Sequence, residues 1–378
     1  MSAPARHVAG ARGRRRLFAL LLLAGVAVIV VILLFTVGPF AAHLQRPGKP
    51  PLGYLRKPLG GRHYRVTAWS LGSVHSLESA TAAHAVDEVD FDWYHPQADG
   101  SVTADKENLD LVAAARDHDL NIFATVTNSP SAGAAFSHDL AAAILASPEA
   151  RRRLIDGLVA LVEDKGYDGV DLDWEALKAG DRDGFSTFVE QLAAALHARR
   201  RFLSIAVFPK TSEPGRWDNQ ISADYARLGK AVDEFKIMTY SYSGPWGAPG
   251  PQAPLAWVND VLAFAETKVA PRKISMGVPF YGFDWHGGSA RAVGGASGAA
   301  AATRYHVTVG RDAGSQEATL TYRDENGVTH EVFFQDQTAI AAKLDTLVKW
   351  HPRIAGISIW VMGQEGPGFW KVIEQKLR

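Results

Sequence analysis

Hydrophobic and polar positions beyond residue 63 alternate between two periods. Stretches rich in β-branched and aromatic residues, typical of strands, lie at 64–69, 88–94, 121–127, 168–175, 202–208, 235–240, 273–281 and 354–360. Stretches with the spacing of amphipathic helices lie between most of them, at 107–117, 138–165, 183–199, 222–234, 255–267 and 337–350. Eight strands interleaved with helices predict a (β/α)₈ barrel of the α/β class over residues 63–378.

One interval interrupts this alternation. The chain between the seventh strand and the helix at 337–350 is far longer than the ~2–6 residues of an ordinary βα loop. It contains a Gly/Ala-rich stretch at 294–303 and two β-rich runs within 319–334, joined by a turn at Asn326-Gly327. We predict a small β-rich insertion at about 284–335 that walls one side of a cleft. The alternative is a surface hairpin without ligand contact.

The first 62 residues have a different character. Four arginines between Arg12 and Arg16 precede an uncharged apolar run at 17–37, which is long enough to cross a bilayer. We predict a cytoplasmic segment at 1–16, a transmembrane anchor at 17–37 and a Pro/Gly-rich linker at 38–62, with the rest outside the membrane. The run exceeds the ~7–15 apolar residues of a signal peptide. Secretion after signal cleavage is the alternative.

Composition removes several functional classes. The chain has no cysteine, which excludes disulfides, thiolate zinc sites and a cysteine nucleophile. Its 40 basic residues balance its 40 acidic ones, but seven of the basic residues and none of the acidic ones lie within 1–50. The remainder is therefore acidic, with 33 basic residues against 40. This balance argues against a nucleic-acid partner, because nucleic-acid affinity depends largely on phosphate neutralisation.

Candidate chemistry lies on the fourth predicted strand, in the stretch YDGVDLDWE. Asp171, Asp173 and Glu175 alternate there with apolar residues, so a strand directs all three carboxylates to one face. Like charges on one face repel each other and do not help folding. Their pKa values must separate, and one carboxyl can then keep its proton near neutral pH and act as a general acid.

Two interpretations without catalysis compete with this one. The acids could form a solvated strand face or a loop that binds a divalent cation. A calcium loop places glycine and polar residues between its ligands, whereas Leu172 and Trp174 are suited to packing. We therefore expect no metal site here.

The same motif resembles the signature of a known family. Asp168, Asp171, Asp173 and Glu175 match the D-x-x-D-x-D-x-E signature of glycoside hydrolase family 18, the chitinase-like hydrolases, and the resemblance extends over about 64–372. Three other strands resemble the family at FKIMTY (235–240), KISMGVPFYG (273–282) and GISIWVMGQE (356–365). The stretches PGPQAPLAWV (249–258) and DENGVTHEVFF (324–334) resemble the branch of bacterial cell-wall and spore-cortex lytic N-acetylglucosaminidases.

The resemblance implies a retaining, substrate-assisted reaction without a cofactor. Glu175 is expected to protonate the glycosidic oxygen while the 2-acetamido group of the substrate attacks the anomeric carbon. Asp173 is expected to accept the acetamido N–H, and Asp171 to hold Asp173 through a shared proton or hydrogen bond. Tyr240 is expected to donate a hydrogen bond to the acetamido carbonyl. Asp168 lies outside the inward register, so we assign it to structure.

The same resemblance implies residues that bind the sugar. Trp360 is expected to form the apolar floor beneath the ring, and Met238 to lie beside it. Weaker candidates for the pocket, for which plain packing is the alternative, are Tyr94, Asn128 and Tyr281. Trp246 is either a sugar platform or a cover of the barrel rim.

One position departs from the family. Many members carry Asp directly after the tyrosine of strand six, and this chain has Ser241. The exchange removes a charge but leaves the proton donor. We predict hydrolysis of a β-linked polysaccharide that contains N-acetylglucosamine, peptidoglycan or chitin-like, in envelope remodelling. A sugar-binding, lectin-like barrel without catalysis is the alternative.

Overall fold

The predicted barrel is confirmed. The structure is a computed structural model that describes residues 64–105 and 107–378. With strands numbered in chain order, its barrel consists of β1 (Arg65–Ser70), β2 (Glu88–Pro96), β4 (Asn121–Thr127), β5 (Gly169–Asp173), β6 (Phe202–Val207), β7 (Glu234–Ile237), β8 (Ile274–Pro279) and β14 (Gly356–Met362). All neighbours pair in parallel, and β1 pairs with both β2 and β14, which closes the barrel. A short strand, β3 (Val102–Ala104), pairs antiparallel with the end of β2.

Helices follow most strands. They are α1 (Val74–Ala82), α2 (Leu109–Asp117), α3 (His138–Ala146), α4 (Pro148–Lys165), α5 (Arg182–Ala198), α6 (Asp218–Ser222), α7 (Tyr225–Ala231), α8 (Leu255–Glu266), α9 (Gly295–Arg304), α10 (Gln337–Trp350) and α11 (Phe369–Leu377). The single helix predicted at 138–165 is in fact α3 and α4. Ser147 ends the first and caps the second, where its side chain accepts a hydrogen bond from the Ala150 N–H. Pro148 then begins α4, because proline suits a first helical position and disrupts a helix interior.

Two of the barrel strands that end earlier than predicted leave site residues on the loops that follow them. β5 ends at Asp173 and β7 at Ile237, where the regular pairing with their neighbours also ends. Glu175 and Tyr240 therefore stand on the loops that leave the barrel at its carboxyl-terminal face. Functional residues of a parallel barrel are expected at this face.

The barrel separates apolar from polar side chains. On β5, Val170 and Leu172 belong to the large apolar core between strands and helices, whereas Asp171 bonds to side chains across the barrel interior. Trp174 stacks on Phe188 of α5 with ring centroids 5.0 Å apart. The apolar residues of YDGVDLDWE thus pack against the surrounding helices, and its acids face the barrel interior.

The predicted insertion is a second, antiparallel sheet. Its strands are β9 (Tyr281–His286), β10 (Ser289–Gly294), β11 (Gly310–Arg311), β12 (Ala318–Arg323) and β13 (Thr329–Phe334), in the order β10-β9-β13-β12-β11. The hairpin of β12 and β13 is confirmed, and Gly327 takes a left-handed φ of 78° in its turn. The Gly/Ala-rich stretch forms α9, which packs on this sheet around Ala302.

The insertion does not form the predicted cleft wall. Of its residues, only Tyr281 at the start of β9 lines the cavity described below, because the inner side chains of the hairpin pack against α9. Glu317, just before β12, connects the insertion to the barrel. Its buried carboxylate accepts hydrogen bonds from the backbone N–H groups of Gln252 and Ala253 and from Lys343 of α10.

A cluster with metal-ligand spacing lies in the insertion. Asp284, His286 and His330 bring ligand atoms within 4.8 Å of one another. The Asp284 carboxylate already accepts hydrogen bonds from Arg291 and from His330, and the two imidazole rings are stacked with centroids 4.7 Å apart. These contacts suffice to explain the cluster as a polar junction between β9, β10 and β13.

The predicted cytoplasmic segment, membrane anchor and linker lie outside the described residues. Within 64–105 and 107–378, none of the helices has both the length and the apolar character needed to span a membrane.

Candidate active site

A cavity of about 1200 Å³ opens at the carboxyl-terminal face of the barrel. Its lining combines carboxyl groups with many aromatic side chains, as expected for a pocket that binds a ring-shaped polar ligand. The lining residues that bear on the chemistry are Trp69, Asp92, His95, Asp105, Asp173, Glu175, Met238, Tyr240, Ser241, Tyr281 and Trp360. The structure thus brings most of the predicted site residues into one cavity.

Asp171 lies beneath this cavity and is fully buried. Its carboxylate accepts hydrogen bonds from the Trp69 indole at 2.7 Å, Thr125 at 3.2 Å, Ser204 at 2.5 Å and the Lys236 ammonium at 3.0 Å. A carboxylate has enough lone pairs for all four donors. Asp171 is therefore held rigidly by residues from four other strands. Among the described residues no hydrogen bond joins it to Asp173, unlike the arrangement that the family resemblance implies.

Asp173 has a different environment, although it is only two residues away. It is 6 % exposed and lines the cavity, and its Oδ1 atom has no hydrogen-bond partner among the described residues. Burial raises its pKa well above the ordinary value, and the charges of Glu175, Asp171 and Asp92 raise it further. Asp173 therefore presents to a ligand a carboxyl oxygen without a hydrogen-bond partner among the described residues.

Glu175 is positioned through its backbone. Its N–H donates to Asn128 Oδ1 at 2.8 Å, and its carbonyl accepts from Asn128 Nδ2 at 2.7 Å. These two bonds fix the residue beyond the end of β5, and Ala176 after it takes a left-handed φ of 57°. Burial raises the pKa of Glu175 to about 7, so its carboxyl keeps a proton near neutral pH, as a general acid requires.

Tyr240 is positioned by tight backbone turns after β7. It is 6 % exposed, and its hydroxyl makes no hydrogen bond within the described part of the chain. Burial and the nearby Tyr281, Asp173 and Glu175 raise its pKa well above the ordinary value, so the phenol remains a hydrogen-bond donor. Ser241 takes a left-handed φ of 60° and bonds to the Tyr281 hydroxyl at 2.7 Å.

Aromatic rings form the floor of the cavity. Trp360, on β14, meets Trp69 of β1 edge to face, with ring centroids 5.8 Å apart. Met238 and Tyr281 pack with it in one apolar cluster. The Trp69 indole is also the donor that binds Asp171, so the floor and the supporting carboxylate are joined. Trp246 lines the mouth of the cavity and is 70 % exposed. This position is compatible with one of its two predicted roles, a platform for a sugar.

Two predicted pocket residues do not line the cavity. Tyr94 is fully buried, and its hydroxyl donates to Glu107 at 2.9 Å. An irregularity in the pairing of β2 between Asp92 and Tyr94 shifts the alternation, so that Trp93 and His95 line the cavity instead. Asn128 is also fully buried, and its amide is occupied by the Glu175 backbone and by the Ser137 carbonyl. It positions the acid and does not face the ligand.

The structure adds a polar wall that the sequence analysis missed. Asp92 lines the cavity, and burial raises its pKa to about 6. Beside it, His95 bonds through Nε2 to Asp105 at 2.8 Å and through Nδ1 to the hydroxyls of Thr127 and Ser129 at 3.1 Å. A signal for Asp92 was present, because Glu88, Asp90 and Asp92 alternate along EVDFDWY as the acids do on the fourth strand.

Asp168 takes the structural position that the sequence predicted. Its Oδ2 accepts a hydrogen bond from the Ile122 N–H at 2.9 Å, at the start of the neighbouring strand β4. This end of the barrel lies opposite the cavity.

Comparison with known proteins agrees with this geometry. Residues 114–365 match the family described as glycosyl hydrolases family 18. The cortical fragment-lytic enzyme of Bacillus anthracis is 28% identical over 286 residues, which cover 74% of this chain and 65% of that enzyme, so the chain spans less than two thirds of this relative. The predicted similarity to spore-cortex lytic enzymes is thereby confirmed.

Solved structures extend the comparison to most of the described barrel. The crystal structure of the Bacillus cereus spore cortex-lytic enzyme SleL superposes with a TM-score of 0.77 at 27% identity, over 84% of this chain and 76% of that one. A chitinase from Chromobacterium violaceum gives a TM-score of 0.77 at 28% identity, over 83% and 99%. By its matching residues, its fold and the carboxyl groups in its cavity, the chain belongs to glycoside hydrolase family 18.

Proposed function

We propose that the protein is a retaining, substrate-assisted hydrolase of polysaccharides that contain β-linked N-acetylglucosamine, either peptidoglycan or chitin-like. The observation that carries this proposal is Glu175, a carboxyl with a pKa of about 7, beside Asp173 in one cavity. The names of the relatives, cortical fragment-lytic enzyme and chitinase, support this class of substrate.

The first step requires an acid and an attacking group. The Glu175 carboxyl protonates the glycosidic oxygen, and the C–O bond to the leaving sugar breaks. The carbonyl oxygen of the substrate's own acetamido group attacks the anomeric carbon from the other side, so no protein nucleophile is needed. Asp173 accepts the acetamido N–H, and Tyr240 donates to the acetamido oxygen. Together they hold the group in an attacking position.

Electrostatics favours the intermediate that follows. Attack by the acetamido oxygen creates a positively charged ring, and the carboxyl groups of Asp173 and Asp171 lie next to and beneath it. Charges fixed in a buried site stabilise a developing charge without reorganisation. Glu175, now a carboxylate, takes a proton from a water molecule that attacks the anomeric carbon. Two inversions at this carbon give retention of configuration.

The aromatic floor holds the sugar during these steps. A pyranose ring presents a C–H face that packs on an aromatic ring, and Trp360 offers such a face within the cavity. Met238 and Tyr281 complete this apolar surface.

The decisive test replaces the acid. We expect Glu175→Gln in the full-length chain to lower kcat on oligomers of β-1,4-linked N-acetylglucosamine by roughly 10³-fold, within the range for a general acid. Glutamine keeps the shape of a protonated carboxyl, so binding of the oligomer and the unfolding midpoint should change little. Products are quantified by mass spectrometry, and binding by calorimetry.

The exposed Glu78 provides the matched control, and Glu78→Gln should leave kcat unchanged. If the wild-type chain binds the oligomers and cleaves none of them, the lectin-like interpretation replaces the hydrolase. Equal cleavage by wild type and Glu175→Gln would assign proton donation to another residue.

We further propose that residues 17–37 anchor the enzyme in a membrane with the barrel outside the cytoplasm, where it remodels the envelope. The apolar run and the arginines before it support this arrangement. Cell fractionation should recover the full chain with membranes and a chain without residues 1–45 in the soluble fraction. Membrane recovery of the shortened chain would refute the anchor, and secretion of a cleaved full chain would favour a signal peptide.

A further inference from the structure

The lining of the cavity has an uneven distribution of charge. Asp92, Asp105, Asp173 and Glu175 are all acidic, and Arg216 is the one lysine or arginine among the described residues that line it. Arg216 belongs to the loop at 208–224 between β6 and α7, whereas the acids belong to β2, β5 and the segments that follow β3 and β5. The cavity therefore has an acidic inner part and one cation at its edge.

The loop that carries Arg216 has a defined structure. Lys210, which is 2 % exposed, donates from Nζ to the carboxylate of Glu213 at 3.0 Å and to the carbonyls of Gln220 at 3.2 Å and Ala223 at 2.7 Å. These bonds tie the two ends of the loop together around a buried ammonium.

The backbone at Arg216 is fixed by a second set of bonds. The N–H of Arg216 donates to Gln220 Oε1 at 2.8 Å, and Nε2 of the same glutamine donates to the Pro209 carbonyl at 2.6 Å. Trp217, the next residue, lines the cavity and packs edge to face on Phe208 with ring centroids 4.8 Å apart. Arg216 is therefore presented from a fixed position, beside an aromatic ring.

The guanidinium of Arg216 has no ion pair or side-chain hydrogen bond within the described part of the chain. Arg182, which supports the same loop, is paired with both Glu213 and Asp224. A nearby carboxylate, Asp218, accepts instead from the Ala179 N–H. An unpaired guanidinium on a fixed loop is suited to bind a planar anion, because its fork of N–H groups matches a carboxylate.

We propose that Arg216 is a specificity-determining residue that binds a carboxylate carried by the glycan, on a sugar next to the one held at Asp173 and Glu175. The inference rests on the proposed function. It selects, as substrate, a polymer in which N-acetylglucosamine alternates with a carboxylate-bearing amino sugar of the muramic-acid type. A neutral chitin-like chain has no group for Arg216 to recognise.

The acidic inner part also fixes the register of such a polymer. A sugar with its own carboxylate would lose hydration among buried carboxyl groups that offer it no cation, whereas the neutral N-acetylglucosamine carries no such cost. The carboxylate-bearing sugar is accepted only at the edge, near Arg216. The distribution of charge therefore directs cleavage to the bond that follows N-acetylglucosamine.

The test compares three substrates of equal length on the full-length chain. They are an oligomer of N-acetylglucosamine, an oligomer that alternates it with N-acetylmuramic acid, and the same alternating oligomer with its carboxylates converted to methylamides. We expect Arg216→Ala to lower kcat/KM about tenfold on the carboxylate oligomer, in keeping with one charged hydrogen bond at a wet site. The loss on the other two should be less than about twofold.

Two variants sharpen the result. Arg216→Lys should restore part of the loss, because an ammonium keeps the charge without the fork. Arg152, exposed on α4 outside the cavity lining, gives the control, and Arg152→Ala should change none of the three values. Added salt should reduce the preference of the wild type for the carboxylate oligomer.

The outcomes separate the two proposals. Equal losses for Arg216→Ala on the carboxylate and methylamide oligomers would overturn the role of Arg216 and leave the hydrolase intact. A wild-type chain that cleaves none of the three substrates would overturn the proposed function itself.

Discussion

The barrel interior holds two groups of acids with opposite surroundings. In the lower group, Asp90 and Asp171 accept hydrogen bonds from the Lys236 ammonium at 2.6 and 3.0 Å, and Glu88 lies 3.5 Å from it. The upper group, Asp92, Asp173 and Glu175, lines the cavity and has no ion pair with lysine or arginine among the described residues. Burial raises the pKa of acids in both groups, that of Asp90 to about 7 and that of Asp92 to about 6. The groups differ in that only the lower one has an ammonium in direct contact, which opposes this rise.

The contrast between Asp171 and Asp173 shows how closely the two surroundings adjoin. Both lie on the inner face of β5, yet only Asp171 reaches the ammonium. Burying a carboxylate is costly unless a partner compensates for lost hydration, and without one the pKa of the group rises. A mobile proton is useful in catalysis and a fixed ion pair is not. Within one strand, Asp171 therefore supports the site and Asp173 takes part in its chemistry.

Removing the cation should have the largest effect on stability. We expect Lys236→Met to lower the free energy of unfolding by about 3–5 kcal/mol, because it leaves buried carboxylates without their partner. Urea denaturation at pH 7 measures the change. The burial of Lys236 alone lowers its pKa, but Asp171, Asp90 and the other carboxylates raise it well above the ordinary value, so the wild-type residue is charged.

The exposed Lys371 is the matched control for this variant, and Lys371→Met should stay within about 0.5 kcal/mol of the wild type. A loss below 1 kcal/mol for Lys236→Met, on the order of the control, would mean that the lower acids are neutral without the lysine. The two groups of acids would then not differ in the way described.

The next effect distinguishes rate from stability. We expect Asp173→Asn to lower kcat roughly 10²-fold, since the amide cannot oppose the positive charge of the intermediate, while the unfolding midpoint stays nearly constant. Asp90→Asn, in the lower group, should reduce stability through the lost charge beside Lys236 and change kcat much less. Steady-state kinetics and thermal denaturation of both variants test this pair. A reversed pattern would contradict the assignment of the two groups.

The sequence predicted the acids of β5 and the loop after it better than those of β2. The barrel, the hairpin and the carboxyls of Asp171, Asp173 and Glu175 follow from local periodicity and from a motif contained in nine residues. The role of Lys236 does not follow from local sequence. It depends on which strands lie across the interior, so that the lysine side chain can reach Asp90 and Asp171. Within FKIMTY the lysine alternates with apolar residues, which indicates only that it faces inward.

The errors have local causes. Tyr94 is a weaker candidate for the pocket with packing as the alternative, and the irregularity after Asp92 turns its side chain away from the cavity. Asn128 is likewise a weaker candidate for substrate contact, and its amide binds the Glu175 backbone. A polar residue at the end of a strand has the same appearance in the sequence in either role. Only the distances between β4 and the loop after β5 distinguish them.

The smallest predicted effect is the pH dependence of catalysis, which we assign to Glu175 because it lines the cavity. Burial raises the pKa of Glu175 to about 7, and the acid acts only while it is protonated. We therefore expect kcat/KM to be high below pH 7 and to fall about tenfold per unit above it, because each unit removes nine tenths of the remaining protonated form. Glu175→Gln cannot lose this proton, so its residual activity should lack that decline. Asp92, with a pKa of about 6, is the neighbour that could imitate it, and Asp92→Asn should leave the decline near pH 7 in place. If the decline disappears in Asp92→Asn and persists in Glu175→Gln, then Asp92 is the group that titrates, and Asp92 rather than Glu175 acts as the acid.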